Sequence, residues 1–352
     1  MIFLAPLLAA ALASAAPPAY DTQILTRRPD VVWGFDFLPD GKIIFTERKG
    51  RLGVYDPKTK EASAVAGAPA VWARGQGGLL DVRVHPGFAK NHWVYLTWSQ
   101  PVEGGAATAL GRGRLEGGKL VGFERLFLSN AGGGNGVHFG SRVEFDGAHV
   151  FVSLGERGDR DLAQDLKRDN GKIVRLTHDG KPDGAGLPGA LPEIWSWGHR
   201  NPQGLALRPG TKQLWSSEMG PRGGDELNRV GRGANYGWPV ITYGREYHGP
   251  KIGTTAKEGM EQPVVHWVPS ISPSAMAFYD GTAFPAWRGS VFLACLSGER
   301  LRRVALEGDA AGAQEDVLAG KGWRFRNVRQ GPDGLLYFST DEGLLGRLAP
   351  AR

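Results

Sequence analysis

One hairpin unit recurs six times along this chain, glycine or proline breaks every apolar run, and four short strands can be drawn for each unit. These three observations predict an all-β fold, a six-bladed β-propeller with four-stranded antiparallel blades around a central channel. The 352 residues include 53 Gly and 23 Pro, too many for a helical protein, while 41% hydrophobic residues is too apolar for disorder.

The unit is an alternating apolar strand, a turn, a second apolar strand and a polar loop. The first copy runs from Trp33 to Leu38, turns at Pro39-Asp40-Gly41 and returns from Lys42 to Thr46. The second pairs Gly78 to Pro86 with Trp93 to Trp98, and the third pairs Ser141 to Phe145 with His149 to Leu154 across Asp146-Gly147. The fourth spans Gln203 to Ser217, and the fifth runs from Ser274 through Phe278 to Val291 and Ala294. The sixth joins Arg326-Asn327-Val328 to Leu335 to Thr340 through Pro332-Asp333-Gly334. Asp-Gly between alternating apolar runs is a strong hairpin signal. Arg51 to Tyr55 and Lys172 to Leu176 supply outer strands. A two-sheet sandwich is the alternative, and the number of similar units argues against it.

The formal charge is +6, with basic residues scattered and no aromatic interleaving, which argues against a nucleic-acid platform. Met1 to Leu12 is apolar and Ala13-Ser14-Ala15 offers a small-residue cleavage pattern. Residues 1–16 therefore read as a secretory signal peptide, and residues 17–352 as a single propeller domain in the periplasm or outside the cell. That run is too short for a comfortable transmembrane helix, and no later stretch could span a bilayer. Cys295 is the only cysteine, so no intrachain disulfide can form.

A propeller gathers the loops that lead into its innermost strands on one face, around the channel, and that ring is the default ligand site. The lead-in segments are Arg74 to Gly78, Gly132 to Gly140, His199-Arg200-Asn201, Trp267 to Ser270 and Trp323 to Arg326. A single histidine such as His138 is more often structural. Here it follows a Gly-rich approach, and Glu156 stands at the far end of the same hairpin, where a carboxylate could orient the imidazole. Arg324 and Arg326 alternate around Phe325 and should point to one side, as a carboxylate-recognising pair would. Ser217 to Pro221 ends a strand on a Gly-Pro turn whose carbonyls are free, because proline cannot extend a ladder. Cationic side chains beside free carbonyls suit an anionic organic ligand held with a hard cation such as calcium. Trp195 and Trp197 read as core packing slightly ahead of ligand stacking.

In these segments the chain resembles the soluble, pyrroloquinoline quinone (PQQ) dependent aldose and glucose dehydrogenases. The segments that carry the resemblance are GQGGLLDVRVHPGF, GVHFGSRVEF, LGERGDRDLAQDL, GKIVRL, WGHRNPQGLAL, SEMGPRGGDELNRVGRGANYGWPV, SISPSAMAFY and WRFRNVRQGPDGLLY, in order and over most of the chain. The resemblance implies that His138 is the catalytic base at the sugar anomeric hydroxyl, with Glu156 orienting it. It implies that Arg200 and Asn201 contact PQQ, that Arg200 stabilises charge on the quinone, and that Arg324 and Arg326 pair with cofactor carboxylates. The Gly220 and Pro221 carbonyls are implied to ligate a catalytic calcium, and Glu226 with the Tyr236 carbonyl part of a second calcium site. Gln76 is implied to face the sugar, and Trp267 is counted with the cofactor-binding residues. Some members carry a cofactor-contacting lysine near the end of the fifth blade. Here Leu296-Ser297-Gly298-Glu299-Arg300 stands there, with Arg300 as the stand-in. The insertions of the longer, dimeric members are absent, so a monomer oxidising aldoses broadly is expected, with a quinone, dye or cytochrome as electron acceptor.

Two other readings stay open on residues alone. A six-bladed propeller lactonase or esterase with channel calcium needs several side-chain carboxylates and amides converging on one metal. A non-enzymatic binding propeller would not need His138 and Glu156 paired across a hairpin.

Overall fold

The computed structural model describes residues 18–184 and 186–351; the expected signal peptide lies outside them. Six four-stranded antiparallel sheets are present, and helix is confined to single turns such as Phe88–Asn91 and Arg160–Gln164. The inner two strands of blades one to six are Val32–Phe37 with Ile43–Glu47, Leu79–Val84 with Trp93–Val102, Val143–Phe145 with His149–Leu154, Pro202–Leu207 with Leu214–Glu218, Pro273–Tyr279 with Ser290–Cys295, and Phe325–Gln330 with Leu336–Thr340. Each hairpin read from the sequence is there. The sixth blade is completed by Tyr20–Arg27, which pairs with Leu344–Pro350 and so joins the two ends of the ring in one sheet.

The apolar core lies between blades. Ile44 and Leu52 of blade one pack with Leu79, Leu96 and Trp98 of blade two, and Trp215 and Leu227 of blade four pack with Met276 and Leu293 of blade five. Fully burying one such side chain contributes about 1.5–3 kcal/mol. A seam of hydroxyls reinforces these layers. Thr46 donates to the Leu80 carbonyl at 2.6 Å, Thr97 to Ser141 at 2.7 Å, Ser153 to Pro202 at 2.7 Å and Ser339 to Val32 at 2.7 Å. Each hydroxyl sits on a blade's second strand and reaches backbone at or just before the next blade's innermost strand.

Below the lead-in loops the channel is closed by Arg142, whose side chain is 2% exposed. Its guanidinium bonds Asp81 at 2.9 Å, the Gln203 carbonyl at 2.9 Å and the Ser274 carbonyl at 2.7 Å, reaches the Arg326 carbonyl at 3.5 Å, and lies 4.3 Å from the Trp33 ring centroid. One residue of blade three thus touches the other five blades. The channel above it is a bowl with a floor.

Candidate functional site

That bowl has a volume of about 850 Å³. Gln76, His138, Arg200, Asn201 and Arg324 from the lead-in loops line it, with Gly220, Pro221 and Arg222 from blade four. Tyr243, Arg245 and Tyr247 complete one side; they come from residues 231–264, the long connection to blade four's outermost strand. The wall contains no aspartate or glutamate side chain.

His138 and Glu156 meet because the chain brings both ends of one hairpin together. Gly155 runs against the His138 carbonyl so closely that a Cβ there would lie 2.0 Å from that oxygen. His138 itself adopts a left-handed φ of 51°. Its Nδ1 bonds Glu156 Oε1, its backbone N–H donates to Gln76 Oε1 at 2.8 Å, and its ring is 13% exposed beside a Glu156 that is 2% exposed. A carboxylate at Nδ1 fixes the proton there and leaves the Nε2 lone pair free to act as base. Burial holds the imidazole below its ordinary pKa; the Glu156 hydrogen bond opposes this and Arg200 adds to it. Glu156 is anchored from behind. Its N–H donates to the Arg200 carbonyl at 2.9 Å, and its carbonyl accepts from Asn170 at 3.0 Å.

Arg200 is 7% exposed and points its guanidinium at the Gly220 carbonyl at 2.8 Å and the Met219 carbonyl at 3.1 Å. Among the described residues no carboxylate pairs with it. Glu218 instead fixes the backbone, accepting from the Arg200 N–H at 2.7 Å and from His199 Nδ1 at 2.9 Å. Asn201 is fully buried, and its Oδ1 accepts from Gly140 at 3.2 Å. Gly220 sits in a knot of backbone where a Cβ would lie 2.3 Å from the Gly223 carbonyl and 2.5 Å from that of Gly224. Only glycine lets those oxygens crowd together.

Arg324 and Arg326 do reach the same side, and there they share Asp341. Arg326 grips it at 2.8 and 3.0 Å, and Arg324 at 3.1 Å. Burial pushes the Asp341 carboxyl up, but the two guanidinium groups hold it below its ordinary pKa. Arg324 lines the bowl with its side chain 45% exposed, while Arg326 is 12% exposed and lies outside the wall.

Two expectations are corrected. Trp267 is not in the bowl. It belongs to blade four's outermost strand, where its indole is 7% exposed among Trp215, Met276 and Leu293 and donates to Gln314 at 2.8 Å. Its neighbours Val268 and Pro269 form the wall instead. Arg300 turns away to pair with Asp316, so it does not replace the lysine. Sequence reasoning also missed Arg157, a buried arginine at φ 65° that donates to the Val137 and Asn135 carbonyls and lies 3.5 Å over the Phe139 ring, pinning the Gly-rich approach to His138.

Behind the Arg200 wall, Glu218, Glu226, Tyr236 and Thr242 surround a void of about 10 Å³, room for one small ion or water. Burial, and next the Glu218 charge, push the Glu226 carboxyl up to about 8.

The His138–Glu156 dyad stands beside a cationic bowl whose wall carries no Asp or Glu side chain, an arrangement suited to an anionic ligand next to a group that loses a proton. The Glucose / Sorbosone dehydrogenase family model matches residues 28–348. The chain belongs to that family, whose members are oxidoreductases. Aldose sugar dehydrogenase of Escherichia coli (strain K12) is 41% identical over 363 residues, covering 99% of this chain and 98% of that protein. The crystal structure of the soluble Escherichia coli aldose sugar dehydrogenase in its apo form matches with a TM-score of 0.91 at 39% identity, over 95% of this chain and 100% of the other. The PQQ-bound form of aldose sugar dehydrogenase from Streptomyces coelicolor matches with a TM-score of 0.78 at 30% identity, over 95% of this chain and 99% of the other.

Proposed function

We propose that this protein is a PQQ- and calcium-dependent dehydrogenase that oxidises aldoses at the anomeric carbon to lactones, working as a monomer in the periplasm or outside the cell. The observation that carries the reading is the His138–Glu156 dyad beside Arg200 in a bowl whose wall holds no carboxylate side chain. A planar tricarboxylate fits such a wall, and a relative of 30% identity is described as PQQ-bound. The residues suit both groups. Arg200, Asn201 and Arg324 would hold the cofactor, with Arg326 behind them. The Gly220 and Pro221 carbonyls would face the first calcium, whose charge the anionic cofactor balances. Glu226 and the Tyr236 carbonyl would face the second, with Glu218 beside them.

When bound, PQQ supplies the two-electron acceptor and calcium the Lewis acidity. The protein's own part is acid–base and electrostatic. Gln76 and the bowl wall orient the sugar. His138 Nε2 takes the proton of the anomeric hydroxyl as the C1 hydride departs. Glu156 holds the ring through Nδ1 and offsets the charge of the imidazolium. Arg200, unpaired by any carboxylate, stabilises negative charge developing above it.

Among the described residues no group of three or more Asp, Glu, His or Cys side chains converges as a metal site, and the bowl's polar side chains are amides, a histidine and arginines, which suit an anionic cofactor better than a bare metal. The test is reconstitution: apoprotein should oxidise aldoses only when both PQQ and calcium are added. Oxidation supported by NAD, or activity that survives thorough calcium removal, would overturn the reading.

A further inference from the structure

Arg222, Arg245 and Lys251 stand side by side. Residues 222 and 245 form an antiparallel bridge, with N–H to O=C distances of 3.2 and 3.3 Å, and residues 245 and 251 form a second one. Directly opposed residues on antiparallel segments share a face, so three cations lie in a row across three bridged segments. All three are exposed, and among the described residues none has an ion-pair partner. The nearby Glu246 is engaged by Arg160 at 2.6 Å. Like charges placed directly opposite one another destabilise a sheet, so this row opposes folding. Arg222 and Arg245 line the bowl, and Lys251 is bridged to Arg245. A neutral sugar carries no charge for such a row to attract.

We infer that Arg222, Arg245 and Lys251 form a rail that guides a negatively charged electron acceptor into the bowl. The inference rests on the proposed dehydrogenase reading. Each aldose converted to lactone gives up two electrons and two protons. Two one-electron acceptors take one electron each, and both protons go to solvent. A cationic lip with no carboxylate in the wall below it raises the local concentration of anions and their rate of encounter, and salt screens the effect.

The experiment compares the wild type with the R222Q/R245Q/K251Q triple variant. In low salt the variant should lose at least about tenfold in kcat/KM for ferricyanide and gain for a cationic phenazine acceptor, consistent with steering effects of 10–10³. Both differences should vanish near 1 M salt, where the Debye length is about 3 Å. Hexacyanocobaltate, a redox-inert anion of the same charge as ferricyanide, should bind wild-type apoprotein in calorimetry at low salt and bind the variant much more weakly. That measurement needs no turnover, so it reads the rail even if the dehydrogenase reading fails. Relief of the opposed charges should leave the melting temperature equal or higher, which separates a lost rail from a lost fold. Equal losses with both acceptors would overturn the inference. So would a weakened PQQ affinity, which would assign the arginines to the cofactor, or a selective loss with glucuronate over glucose, which would assign them to an acidic sugar.

Discussion

Glu218 and Glu226 stand directly opposite each other on neighbouring strands of blade four, and one amide, Asn228 Nδ2, donates to both at 3.3 and 3.0 Å. Glu218 has other donors in His199 and the Arg200 N–H. Among the described residues the Glu226 side chain has no other hydrogen bond or ion pair, and its carboxyl is pushed up to about 8. A divalent cation in the adjoining void would remove the like-charge penalty and keep both groups ionised. Because Glu218 also fixes the Arg200 backbone, an ion there would steady the wall of the bowl.

Calcium should therefore raise the melting temperature of the apoprotein. A ligand at a hundredfold excess over its Kd stabilises by about 2.7 kcal/mol. Glu226→Gln keeps the volume and removes one charge, so without calcium it should be as stable as the wild type or more so. Most of the calcium-dependent shift should be gone. Thermal unfolding with and without chelator reads both effects, and a full shift in the variant would move the ion elsewhere.

His138→Gln should lower kcat by about a hundredfold or more, the usual worth of a positioned base. PQQ affinity, measured by titration, should hold. Glu156→Gln should cost less. The double variant should cost far less than the sum, because the two side chains act as one unit. Additive losses in the four-way kinetic cycle would separate their roles.

The pH profile has a definite sign. His138 works as a base only when neutral, and burial with Arg200 nearby lowers its pKa below the ordinary value of about 6.5. The acid limb of kcat/KM should therefore lie below pH 6.5. In Glu156→Gln the group that opposes the lowering is lost, so the limb should move further to the acid side. In Arg200→Gln, whatever activity remains should show a limb moved up. A Glu156→Gln limb displaced upward would contradict the electrostatics drawn above.

Arg142 and Asp81 are a buried pair at the meeting point of the blades. Removing one partner of such a pair typically costs about 3–5 kcal/mol, because the other charge is left uncompensated. Arg142→Leu should lose that much in urea unfolding. Arg142→Leu with Asp81→Leu should recover part of it. A loss below about 1 kcal/mol in the single variant would mean that the tie is not needed.

The six hairpins were legible because their signals are local. Asp40-Gly41, Asp146-Gly147 and Asp333-Gly334 sit between alternating runs, and the turn chemistry fixes the rest. His138 with Glu156 was legible for a similar reason, since a hairpin joins its own ends. The features that were not legible depend on contacts between distant parts of the chain. Tyr20–Arg27 closes blade six against Leu344–Pro350, a pairing of chain ends that no local pattern announces. Asp341, which claims Arg324 and Arg326, comes from the turn after the following strand. Trp267 stands just ahead of blade five in sequence, yet it belongs to blade four's outermost strand and its indole is drawn into the layer between the two blades. The row of Arg222, Arg245 and Lys251 exists only in the bridges that join the turn at Arg222 to the long blade-four connection.

The last expectation concerns the range of sugars. An enzyme rejects the wrong epimer strongly only when a buried polar group is left without its partner. Three polar groups around His138 each already have a partner in the protein, and Gln76 is itself exposed. Asn201 accepts from Gly140, Glu156 holds His138, and Gln76 Oε1 accepts from the His138 N–H. The groups nearer the lip are open to water, with Tyr247 58% exposed and Val268 62% exposed. A hydroxyl of the wrong configuration there meets solvent instead of an unpaired donor, and each such contact discriminates by only about 1–3 kcal/mol. Glucose, galactose, xylose and maltose should therefore all be oxidised, with kcat/KM values within about two orders of magnitude of one another. Maltose is the sharpest case, since its second ring must extend past the lip, and the exposure of Tyr247 and Val268 leaves that path open. Assays of the four sugars side by side decide it. A preference for one sugar by several orders of magnitude would require residues 243–247 to close over the bowl and bury contacts that are exposed here.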